Sequence, residues 1–67
     1  MAVYKMTEIV GTSTESYADA TRTAVERASK TVRGIGWFEV KEMRGRVKEG
    51  KVLEYQVKVA IGFTLED

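Results

Sequence analysis

The chain has no cysteine, no histidine and no proline among its 67 residues. Without cysteine, no disulfide can staple a small core. Without cysteine or histidine, the common ligands of zinc, copper and haem are missing. The usual general base and the best side-chain nucleophile are missing with them. No calcium loop is present either. No apolar run approaches the ~20 residues that cross a bilayer. The first residues, Met1-Ala2-Val3-Tyr4-Lys5, already show a strand-like pattern, so no signal peptide is expected. A cytoplasmic protein without a membrane partner is expected. There is no low-complexity tract, linker or internal repeat, so residues 1–67 read as one domain.

Charge of one sign is lacking too. Eleven basic and ten acidic residues give a net charge of +1. Nucleic acid would need a basic stripe with several aromatics, and this chain has one tryptophan. A core from so short a chain is marginal, and self-association is the remaining way to support it.

The residues present divide into four segments. Residues 2–10 are rich in strand formers, and Gly11 is read as the end of the run. Thr12 and Glu15 have capping-box spacing, with Ser13 and Thr14 as alternative caps. Tyr17, Ala20, Ala24, Ala28 and Val32 then recur at helical spacing. This predicts a helix of about five turns, with Gly34 as its stop. Residues 36–48 and 51–65 read as two strands joined by a turn at Glu49-Gly50. The last strand alternates most cleanly. Leu53, Tyr55, Val57, Val59, Ile61, Phe63 and Leu65 share one face; Glu54, Gln56, Lys58, Ala60, Gly62 and Thr64 share the other.

The expected fold is therefore α+β in the order β-α-β-β. A three-stranded antiparallel sheet has its third strand in the centre, and the helix covers one face. Counting back from a two-residue turn sets Met43 opposite Gln56, Phe38 opposite Ile61 and Trp37 opposite Gly62. Phe38 and Val40 then face the helix. Trp37, the largest aromatic, faces away from it among charges, on an open face with Met43, Gln56 and Ala60. A second subunit, a flat ligand or both would account for that placement. Gln56 lies six residues from Gly62, or about 20 Å along a strand. One small ligand would therefore reach Trp37 of one chain and Gln56 of another.

Catalytic patterns are weak. Ser13, Ser16 and Ser29 lie in or beside the helix and lack a base. Glu39, Glu42 and Glu54 are strand carboxylates of the kind that solvent or a cation normally satisfies. Gly34-Ile35-Gly36 precedes a strand, so it is a turn and not a phosphate loop. Arg44, Arg46, Lys48 and Lys51 make the hairpin end basic. That end is either a solvated tip or a contact for a phosphate or a neighbouring carboxylate.

Several stretches resemble the dodecins, a family of small flavin-binding proteins. They are Glu8-Ile9-Val10-Gly11-Thr12-Ser13, Trp37-Phe38-Glu39-Val40, Met43-Arg44-Gly45, Tyr55-Gln56-Val57 and Gly62-Phe63. The resemblance covers nearly the whole chain. It implies a sheet wrapped around the helix and a hollow homododecamer. It also implies flavin pairs stacked between symmetry-related tryptophans at subunit interfaces. Trp37 matches the stacking tryptophan, Gln56 the glutamine that bonds the polar edge of the ring, and Arg44 an arginine near the flavin site of bacterial members. FMN or riboflavin is the implied ligand, with coenzyme A on the shell in some bacterial members. The implied role is flavin storage and photoprotection without catalysis. The alternatives are a purely structural homo-oligomer and a coenzyme A-binding shell protein. One departure stands out. Many bacterial members read Gly-Phe-Arg-Leu-Glu near the end, and this chain reads Gly62-Phe63-Thr64-Leu65-Glu66. Without that cation, a preference for FMN would rest on Arg44, Arg46 or a nearby lysine.

Overall fold

The computed structural model describes residues 1–65; Glu66, the last residue of the stretch that departs from the bacterial pattern at Thr64, lies outside the described residues. The elements run β1 (Tyr4–Ser13), α1 (Tyr17–Ala28), β2 (Ile35–Lys48) and β3 (Lys51–Thr64). The sheet is antiparallel in the order β1-β3-β2. The expected topology and the central place of the last strand both hold. Glu49 and Gly50, with φ of 52° and 76°, make the two-residue turn between β2 and β3. Two positive φ values in succession suit the right-handed twist of the flanking strands.

The core lies between α1 and one face of the sheet. Val57, Val59 and Ile61 from β3 and Ala20 from α1 have no solvent exposure. Ile9, Tyr17, Val25, Ala28, Val32 and Ile35 close around them. The Tyr17 ring meets Tyr55 edge-on at 4.9 Å. The alanine stripe lets the helix sit close to the sheet. Gly11 has the same effect from the strand side, since a side chain there would run into the Ala20 carbonyl and the Ala24 methyl. Contrary to the expectation from the sequence, Gly11 therefore does not end β1. It lies inside the strand opposite Val57, and pairing continues to Ser13 opposite Tyr55.

Both helix ends differ from expectation. Ser16 is the N-cap, and its hydroxyl accepts from the Asp19 amide at 3.0 Å. The Ser13 hydroxyl organises the preceding turn: it accepts from the Glu15 amide at 2.9 Å and donates to Asp19 Oδ2 at 2.7 Å. At the far end the helix stops at Ala28 instead of running to Gly34. There Ser29 Oγ donates back to the Val25 carbonyl at 2.8 Å. The next amides, Lys30 and Thr31, take the tighter i−3 pattern to Arg27 and Ala28. Val32 still packs on the core from beyond the helix.

The register departs from simple counting in the middle of β2. Trp37 pairs with Gly62, Phe38 with Ile61, and Lys48 with Lys51, as expected. Between them, Lys41 is an extra residue on β2, and Leu53 is an extra residue on β3. The two irregularities cancel, but residues 42–46 are displaced by one. Met43 therefore faces Val57 on the helix side, not Gln56, and Arg44 takes the place opposite Gln56. A shift of one residue moves each side chain to the other face. The helix lies mainly over β1 and β3. Phe38, Val40 and Met43 of β2 are left exposed even though they point to its side.

Candidate functional site

The sheet face away from the helix has two ends of different chemistry. At one end Trp37 lies over Gly62. A β-carbon at position 62 would overlap the six-membered ring of the indole, so the absence of a side chain there makes room for it. Tyr4, from β1 opposite Thr64, meets the indole edge-to-face with ring centres 5.1 Å apart. Met6 flanks Gly62 from the same strand. The indole is thus held from below and from one side, yet the residue is still 41% exposed. An electron-rich aromatic surface is left facing outward.

At the other end are Gln56, Arg44, Glu54 and Arg46. Arg44 Nε donates to Gln56 Oε1 at 2.9 Å, and Arg44 Nη1 donates to Glu42 Oε1 at 2.8 Å. Gln56 Nε2 donates to Glu54 Oε1 at 3.3 Å, which also accepts from Arg46 Nη1 at 3.1 Å. Between the two ends, Lys58 lies 3.3 Å from Glu8 and 3.9 Å from Glu42. Glu39 pairs with Lys41. The strand carboxylates singled out in the sequence, Glu39, Glu42 and Glu54, are each matched to a cation, and no two of them face each other as an acid–base pair.

The structure brings two of the three expected site residues together. Arg44 and Gln56 are in contact; Trp37 sits over Gly62, six residues further along β3. Within one protomer, Trp37 and Gln56 cannot hold one small ring system. Sequence reasoning missed Tyr4 as the indole's neighbour, and it missed Glu54 and Glu42 as partners of Gln56 and Arg44. The signal for Gly62 was present, since the smallest residue was already paired with the largest. The signal for Arg44 depended on the extra residue at Lys41.

Among the described residues, no group of three or more His, Cys, Asp or Glu side chains is placed to hold a metal ion. No described helix is long and apolar enough to cross a membrane.

Comparison with known proteins gives a consistent result. The family model described as Dodecin matches residues 3–66. A dodecin from Thermus thermophilus is 52% identical over 65 residues, which cover 97% of this chain and 94% of that protein. The solved dodecin of Streptomyces coelicolor overlays with a TM-score of 0.95 at 45% identity, covering 98% of this chain and 94% of that one. The solved calcium dodecin of Mycobacterium tuberculosis overlays with a TM-score of 0.84 at 35% identity, covering 96% and 91%. The likeness therefore extends over both halves of the open face and over the core beneath them, and on that basis the chain belongs to the dodecin family.

Proposed function

We propose that this protein binds and stores flavin, FMN or riboflavin, at interfaces between copies of itself in a hollow homododecamer, and that it is not an enzyme. The observation that carries this reading is the division of the open face. Trp37 is presented outward at one end and an ordered Gln56 at the other, six residues of β3 apart. A ring stacked on the indole of one protomer meets a glutamine only if a second protomer supplies it. Exposed Phe38 and Val40 on β2 also call for cover by another chain.

The residues fit the ligand. An indole offers a flat, electron-rich face to an electron-poor tricyclic ring. A carboxamide offers one donor and one acceptor side by side, which suits the neighbouring C=O and N–H of the flavin pyrimidine edge. Stacking of this kind is worth ~1–3 kcal/mol per ring, on the scale measured for bases on aromatic side chains. Bound flavin supplies a redox-active, light-absorbing ring. An enzyme would leave its reactive edge open to substrate, whereas a ring enclosed between subunits is sequestered. Electron transfer from the stacked indole quenches the excited flavin, so storage and photoprotection are one property of the same contact.

The test is direct. The purified protein should be yellow, release FMN or riboflavin on denaturation, and quench added riboflavin fluorescence on binding. Light scattering should give the mass of a dodecamer. A colourless dodecamer indifferent to both flavins would replace this reading with that of a structural homo-oligomer, or of a coenzyme A-binding shell if it retained that ligand. A stable monomer would remove the interface on which the reading depends.

A further inference from the structure

A glutamine amide has two ends of similar shape and opposite hydrogen-bonding sense. On a bare strand it can turn either way. At Gln56 the neighbours remove that freedom. Arg44 Nε approaches Oε1 at 2.9 Å, and Glu54 Oε1 accepts from Nε2 at 3.3 Å. A guanidinium only donates and a carboxylate only accepts, so the reversed amide would set two donors against each other on one side and two acceptors on the other. Each neighbour is itself held. Arg44 Nη1 bonds Glu42, and Arg46 Nη1 bonds Glu54. Lys58 reaches Glu42 and Glu8. Cations and carboxylates thus alternate across all three strands, with the one neutral amide set between Arg44 and Glu54.

We infer that Arg44 and Glu54 are positioning residues that fix the orientation of the Gln56 amide, and that this fixed order selects a ligand edge carrying a carbonyl beside an N–H. Gln56 keeps one acceptor lone pair on Oε1 and one hydrogen on Nε2, in a set sequence along the strand. A lactam or imide edge meets both; an edge whose nitrogen is alkylated meets only the hydrogen. Arg44 acts through Gln56: its Nε is bonded there, and its Nη1 is tied back to Glu42 in the same protomer. This inference rests on the flavin reading for its ligand. The one-residue displacement between Lys41 and Leu53 is what places Arg44 here.

The experiment uses the assembled protein, with light scattering confirming the parent's mass for every variant. Riboflavin, FMN and N3-methylriboflavin are titrated by fluorescence quenching against the parent, Arg44→Ala, Arg44→Lys and Glu54→Gln. The parent should favour riboflavin over its N3-methyl analogue. Arg44→Ala should weaken riboflavin and FMN by the same factor, about three- to tenfold for one hydrogen bond, and should lose the preference over the N3-methyl compound. Arg44→Lys, which still donates, should keep part of that preference. Glu54→Gln, which can donate or accept, should lower it. A loss confined to FMN in Arg44→Ala, or a preference unchanged in both Arg44→Ala and Glu54→Gln, overturns the inference while leaving flavin binding intact. The amide order is also read without any ligand. In ¹⁵N spectra the Gln56 side chain should show one slowly exchanging hydrogen in the parent, lost in Arg44→Ala. A parent that shows this hydrogen but binds no flavin sinks the flavin reading and leaves the ordered amide standing; a parent without it overturns the inference itself.

Discussion

Alternate residues of β3 have opposite surroundings. Val57, Val59 and Ile61 are sealed under α1 with no exposure, whereas Gln56 and Lys58 on the other face are only partly covered, by side chains of the sheet itself. The helix side is completed within the protomer by shape: an alanine stripe, a glycine opposite it and branched side chains between them. The open side is ordered by charge and hydrogen bonding, and its aromatic end is left unfinished. One face of the strand therefore makes the fold, and the other presents a surface. Substitutions on the two faces should be separable, one set acting on stability and the other on binding.

The largest effect is expected on the sealed face. Ile61→Ala removes a fully buried side chain and should cost about 2–5 kcal/mol, measured by urea unfolding at fixed protein concentration. A loss below about 1 kcal/mol would mean that the site collapses freely and that the two faces are not so different. Next comes Gly11→Ala, whose new methyl meets the Ala20 carbonyl and the Ala24 side chain. Overpacking of this kind costs about 1–3 kcal/mol. A thermal midpoint equal to the parent's would show that α1 is not held as close to β1 as described.

On the open face, Trp37→Ala should leave the unfolding midpoint nearly unchanged and cost about 1–3 kcal/mol of flavin affinity. Gly62→Ala sharpens the same point, because it displaces the indole without removing it. Its flavin affinity should fall between those of the parent and Trp37→Ala; parental affinity would show that the seat of the indole does not matter. The smallest effect belongs to Arg46→Ala. Its ion pair with Glu54 is largely solvated on the arginine side, and exposed pairs contribute about 0–1 kcal/mol. A stability loss well beyond that range would show that the polar end also holds the fold together.

Much of this division was legible in the sequence. The alternation of β3 and the two-residue turn fixed the phase of the hairpin at both ends, so the faces of Trp37, Phe38 and Gln56 followed. So did the separation of Trp37 from Gln56. The interior of β2 was not legible, because Lys41 continues the strand pattern and nothing in its type marks it as surplus. That single residue moved Met43 to the helix side and brought Arg44 to Gln56. The end of α1 was hidden for a different reason. Val32 keeps the helical spacing and still reaches the core, although the backbone has already left the helix. At Gly11 a residue type that commonly ends a strand was retained for the close approach of a helix, and only the packing distinguishes the two uses.

The strand order has a consequence for how the chain folds. The central strand follows β1, α1 and β2 in the sequence, and its end pairs with the beginning of the first, Tyr4 with Thr64. Without β3, β1 and β2 have no shared sheet to join, and α1 has no valine–isoleucine core to cover. Pairing across Glu49-Gly50 is local, whereas even the shortest closure between β1 and β3, Ser13 with Tyr55, encloses both α1 and β2. The hairpin is therefore expected to form first and β1 to dock after it.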